Sequence, residues 1–128
     1  MNVGESVTSE IRARSFWNKT GIQLVASQRH LMTVSGDWVD FFMRHDADGD
    51  PSSSWYLRLF ESKRRLPREN WFVLAGALDS DPATAFLIGS QCEYTAPAAG
   101  ELTCFANDVP GFYWNNWGHV ILTVTRSG

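Results

Sequence analysis

Only two cysteines, Cys92 and Cys104, occur in the 128 residues, too few for the disulfide framework that staples many small secreted domains. No apolar stretch approaches the roughly 20 residues a membrane-spanning helix requires, so no membrane insertion is expected. Basic charge is also short. Eleven Lys and Arg stand against 14 Asp and Glu, a formal net charge of −3. A nucleic-acid binder that depends on counterion release carries the opposite balance, which argues against nucleic acid as a partner. The first dozen residues are mostly polar, carry Glu5 and Glu10, and lack the basic-then-apolar pattern of a secretory leader. The expected location is cytoplasmic as synthesised, with a non-classical route for any export.

Catalytic signatures are missing too. The three histidines, His30, His45 and His119, have no metal-ligand spacing to one another or to a cysteine, and they read as surface residues. There is no GxSxG elbow, Walker loop, HExxH or GxGxxG. With no nucleophile–base pair, an enzyme is not expected. The loop DADGD (46–50) suggests an EF-hand, but its glycine comes too early. Leu57 also takes the twelfth position, where a bidentate glutamate belongs. This loop reads instead as a turn whose aspartates cap their own backbone. Lys63, Arg64, Arg65 and Arg68 lie among Glu61 and Glu69, the pattern of a solvated loop.

What the chain does have is apolar content, 44% against 20% charged, enough for one self-sufficient domain over residues 1–128. Aromatics reach 13%, with tryptophan at 17, 38, 55, 71, 114 and 117. Most of these are expected in the core, since large rings dominate core burial. Periodicity is that of short strands. Ile11, Ala13, Ser15 and Trp17 alternate with Glu10, Arg12, Arg14 and Phe16, which fits a first strand, and residues 18–21 read as a turn. Further strands are expected at 22–26, 31–34, 38–43, 71–75, 85–94, 101–106 and 119–125. The run RHDADGDPSSS (44–54) is a loop, residues 55–60 are either a strand or a helical turn, and 61–70 form an exposed segment. In the last strand Val120, Leu122 and Val124 face one way. Seven or eight such strands imply an all-β fold, a β-sandwich or jelly roll. The turn signal PAAG (97–100) predicts a hairpin in which Tyr94 opposes Leu102 and Cys92 opposes Cys104. The thiols are then either two small buried groups or a cross-strand disulfide.

The most informative stretch is NDVPGFYWNN (107–116), followed by Trp117 and Gly118. One carboxylate and three carboxamides crowd ten residues between two strands. Calcium takes six to eight such oxygens. Asp108, Asn115 and Asn116 supply three side-chain ligands, provided the backbone bends so that both amides reach one ion. A single carboxylate against Ca²⁺ leaves the site net positive, with room for neutral oxygens from outside, such as paired sugar hydroxyls. The other reading is an ordinary polar loop.

This run resembles the calcium-loop motif of the LecA-type galactophilic bacterial lectins, whose pattern is close to NDVPGxYxNN. The resemblance is specific over residues 96–124 and weaker at 31–38. It implies a small β-sandwich that binds a galactose-like glycan through Ca²⁺, without catalysis. By motif position Asp108, Asn115 and Asn116 are side-chain ligands and Phe112 is a carbonyl ligand. A further carbonyl, that of Phe41, completes the protein shell. Asp108, Asn115 and the Val109 amide contact the sugar, and His45 is the nearest counterpart of the family's middle-loop contact. Trp114 and Trp117 depart from the pattern. They either stack on the sugar, or fill the pocket and leave an interaction or assembly domain that binds none. Modest affinity per site makes a homo-oligomer the expected state.

Overall fold

The computed structural model describes residues 1–41, 43–50 and 64–128. The undecided element at 55–60 and the position of Leu57 lie outside the described residues. Ten strands are present among them: β1 (Ser6–Arg12), β2 (Asn18–Leu24), β3 (Arg29–Ser35), β4 (Trp38–Asp40), β5 (Met43–His45), β6 (Leu74–Leu78), β7 (Phe86–Leu87), β8 (Gln91–Thr95), β9 (Gly100–Ala106) and β10 (Asn116–Arg126). They form two antiparallel sheets. One runs β5-β4-β10-β3-β8 with β1 also on β10, and the other runs β2-β9-β6-β7. The architecture is the expected all-β sandwich.

The long strand β10 organises the first sheet. Val120, Leu122 and Val124 are fully buried, and each such side chain contributes about 1.5–3 kcal/mol of hydrophobic stabilisation. β1 pairs along residues 119–125. β3 pairs along 121–126 and β4 along 116–118. The β4 register continues that of β3, so β10 carries one continuous partnership from the sheet centre to its Asn116 end. Ile11, Met32 and Leu122 of this sheet meet Leu24, Leu74 and Leu102 of the other in the core. Trp38 closes that core edge-on to Phe72, ring centroids 5.5 Å apart, and its indole N–H donates to the Phe72 carbonyl at 3.2 Å.

Several sequence expectations are corrected. The expected hairpin of β8 and β9 is not formed. β8 pairs with β3, while β9 pairs with β2 and β6 in the other sheet. Ala96 is buried and exchanges backbone hydrogen bonds with the turn at 27–28 (Ser27 N to Ala96 O, 2.9 Å; Ala96 N to Gln28 O, 3.4 Å). The chain therefore arches across the sandwich edge. Cys92 and Cys104 are free thiols, with Cys104 in the core and Cys92 packed against it. Burial raises both thiols, Cys92 to about 11.

The strand expected over 85–94 is two strands in different sheets. Gly89 adopts a left-handed φ of 65°. Ser90 donates through its amide (2.6 Å) and hydroxyl (2.8 Å) to the Asp48 carboxylate, which pins the crossing. The turn expected at 18–21 is a bulge in β2, where the register shifts between Lys19 and Gln23. The Asn18 side chain bonds both the amide (2.8 Å) and the carbonyl (3.0 Å) of Arg12, so the real turn lies before it.

Residues 44–45, expected in a loop, complete β5, and the strand expected over 71–75 sits later, as β6. The DADGD turn behaves as expected, the Asp48 amide donating to Asp46 Oδ1 at 2.9 Å. His30, expected at the surface, is buried on the inner face of β3. Of the tryptophans among the described residues, only Trp38 and Trp71 are buried.

Candidate functional site

The loop leaving β9, the β4–β5 hairpin and the first residues of β10 converge at one end of the sandwich. Asn107 builds the base. Its backbone bonds Phe72 and Val73 (2.8 and 3.0 Å). Its carboxamide oxygen accepts from the Leu66 amide at 2.8 Å, and its N–H₂ reaches the carbonyls of Leu66 (2.9 Å) and Asn70 (3.0 Å). The segment 64–70 is thereby drawn onto the site, where the sequence reading left it solvated. The Arg65 amide donates to the Asp108 carbonyl at 3.1 Å. The Arg65 guanidinium lies against the rings of Phe105, Phe16 and Trp17, 3.5, 3.8 and 4.3 Å from their centroids. It also donates to the Tyr113 hydroxyl at 3.1 Å, which itself donates to the Ala106 carbonyl. Arg64 is buried over the Trp71 ring.

On this base Asp108 is buried, 2% exposed. One carboxylate oxygen accepts from the Val109 amide at 2.7 Å, and the other has no hydrogen-bond partner. The carbonyl oxygens of the Asn115 and Asn116 side chains are likewise buried without a donor. Asn116 is held in this orientation because its N–H₂ donates to the Ala13 carbonyl at 3.1 Å. A short 3-10 turn, Tyr113–Asn115, supplies the bend that lets both amides serve one end of the fold. Three orphaned acceptors in a ten-residue loop are unusual, since buried polar groups almost always find partners.

Asp40 is the residue that sequence reading missed. It pairs across the sheet with Asn116 and is nearly buried. Its carboxyl is pushed up to about 7, first by burial, then by the negative charge of Asp108, then by Asp50. Asp108 is raised by burial, and the Val109 amide and Asn116 side chain offset part of that rise. The site thus holds two desolvated carboxylates where the sequence suggested one. Asp40 was the lone acid in an apolar run, itself a signal, because a buried charge is retained only with a partner or an ion.

Phe41 lies at the hairpin tip with a left-handed φ of 58°, and its amide donates to the Asn115 carbonyl at 2.8 Å. Phe112 begins the 3-10 turn, its amide bonded to Val109 O (3.0 Å) and its carbonyl weakly to the Asn115 amide (3.5 Å). Asp108, Val109, Phe112, Asn115, Asn116 and Phe41 are therefore brought together. The Val109 amide is engaged by Asp108, and its side chain packs with Trp71 and Met43 beneath the loop. His45 stands apart, on β5 opposite Trp38, with its ring 5.8 Å from that of Phe72. Burial lowers its pKa. Trp114 and Trp117 are 63% and 53% exposed, so neither indole belongs to the core.

The donor set is hard oxygen: carboxylates, carboxamide oxygens and nearby main-chain carbonyls. It matches what a calcium-sized cation takes and offers no soft ligand. Among the described residues no group of three His, Cys, Asp or Glu could hold a metal, so amide oxygens are essential to any cation site here. No protein-family model matches this chain, and no curated protein does. Among solved structures, it is similar to one described as the EclA N-terminal domain, a PllA-like lectin. That match has a TM-score of 0.66 and 21% identity, and it covers 93% of this chain and 94% of that one. The likeness shows a shared fold.

Proposed function

We propose that the chain is a non-enzymatic, calcium-dependent lectin that binds a galactose-like sugar. The observation that carries this reading is the group of three buried side-chain oxygens without donors, on Asp108, Asn115 and Asn116, beside the mutually repelling carboxylates of Asp40 and Asp108. A dication relieves that repulsion and satisfies the orphaned acceptors together. Asp108, Asn115 and Asn116 would hold it through side chains, with Phe112 and Phe41 adding carbonyls and Asp40 standing behind. When bound, calcium offers its remaining coordination positions to neutral oxygens such as vicinal sugar hydroxyls. The chain's own part is to fix the Asn116 amide through Ala13 and the base through Asn107, and to offer the exposed ring of Trp114 in the loop as a stacking surface. The similar solved structure is a lectin domain rather than an enzyme, which supports the binding reading.

Calorimetry tests it. Galactose titrated into calcium-loaded protein is expected to give saturable binding that EDTA abolishes and fresh calcium restores. Binding that persists unchanged in EDTA contradicts the mechanism. A glycan array without hits, together with a stable dimer in solution, favours an assembly domain instead.

A further inference from the structure

Beyond the loop, an open cleft of about 360 Å³ runs over the outer face of the first sheet, lined by Arg12, Arg14, Trp117 and His119 with Glu10 and Asn116. Small-ligand clefts span about 300–1,000 Å³, so its size suits a sugar residue. Strand geometry builds it. Arg12 and His119 are cross-strand partners whose neighbours Ile11 and Val120 are buried, which turns the polar side chains outward. Gly118, in a left-handed φ of 81°, bends β10 just beyond Trp117.

The cleft is cationic on a chain whose net charge is −3. Its single acid, Glu10, is already engaged, 3.3 Å from Arg12 Nε and 3.5 Å from His119 Nδ1, so a carboxylate fits between those two nitrogens. Arg14 makes no ion pair among the described residues. Its guanidinium lies 4.8 Å over the exposed Trp117 ring. The guanidinium, stacked on the ring and outside any such ion pair, offers an anion a charge-assisted donor, and the remaining exposed surface of the indole offers a sugar ring apolar contact.

We infer that this cleft is a second saccharide subsite, selective for an acidic sugar bearing a carboxylate or sulfate, with Trp117 as platform and Arg14 as the principal anion donor. Asn116, fully buried, lines the cleft on one side and belongs to the loop site on the other, so the two adjoin across it. The inference rests on the reading that this end of the fold binds saccharides, but the cleft itself needs no cation.

The test is an NMR titration of the full chain in EDTA, following the Trp117 indole N–H and the arginine side-chain N–H signals. Galacturonate, galactose 6-sulfate, galactose and acetate are added in parallel. The acidic sugars are expected to shift both sets of signals, and the more effective of the two identifies the anion. Galactose and acetate are expected to leave them nearly unmoved at equal concentration. Arg14→Gln is expected to weaken the acidic sugars at least fivefold and Arg14→Lys less, while calcium-dependent galactose binding in a separate titration is unchanged. Equal shifts from acetate, equal shifts from neutral galactose, or none from either acidic sugar overturn the subsite. Loss of calcium-dependent galactose binding alone, with the cleft still responding in EDTA, overturns the loop reading instead.

Discussion

At the residue scale, the Asp108 carboxylate is the group on which the cation reading turns. One oxygen is satisfied by the Val109 amide, and the other lies near the Asn116 side chain without a well-formed hydrogen bond. Asp108→Asn keeps the shape and removes a buried charge. In EDTA this variant is expected to melt at or above the parent temperature, because the parent carries an uncompensated desolvated carboxylate. At calcium 100 times its Kd the parent should gain about 2.7 kcal/mol, on the order of 10 °C, which the variant should lose. Scanning calorimetry of both proteins, with and without calcium, reads the difference. Asp40 gives the pH dependence. Its carboxyl rises from 3.8 to about 7 in the fold, so between those values the folded state binds the extra proton. Stability in EDTA should therefore fall as pH climbs from 4 to 7 and level off above. Calcium competes with that proton, so its affinity should rise over the same range. Urea midpoints at pH 5 and pH 8, with and without EDTA, check both signs, and Asp40→Asn should flatten the slope.

At the scale of elements, Asn107 ties the loop of the site to the segment 64–70 through its carboxamide. Each such hydrogen bond contributes about 1 kcal/mol net. Asn107→Ala is expected to lose about 2–4 kcal/mol in urea unfolding, with weaker calcium binding because Asp108 loses its base. A stability loss with unchanged calcium affinity would show that the base and the loop are independent. The last strand was legible because alternation fixes which of its side chains face inward: Val120, Leu122 and Val124 lie where that pattern placed them, whereas the first strand, expected over residues 10–17, is formed at 6–12. Sheet membership was not legible. Tyr94, Cys92, Leu102 and Cys104 turn toward the core whether β8 and β9 form a hairpin or an arch, and only the capture of Ala96 by residues 27–28 decides between them. Asn18 and Gly21 announced an irregularity that local sequence reads equally well as a turn or a bulge.

At the scale of the whole molecule, two sheets meet over one apolar core and bring to one end a loop, a hairpin tip and the start of the longest strand. The sequence run carrying Asp108, Asn115 and Asn116 disclosed the oxygen-rich chemistry. Asp40 and Asn107 came from tertiary geometry: cross-strand pairing sets Asp40 against Asn116, and burial gives Asn107 its partners. The cationic cleft was likewise invisible, because Arg12 and Arg14 lie far in sequence from His119 and Trp117, and meet them only through the β1–β10 register and the Arg14–Trp117 contact. The most direct test of the central claim is a crystal structure grown in excess calcium. It is expected to show one ion about 2.3–2.6 Å from Asp108, Asn115 and Asn116 side-chain oxygens. An ordered loop with no ion, its amides turned apart or bonded to protein donors, would contradict it.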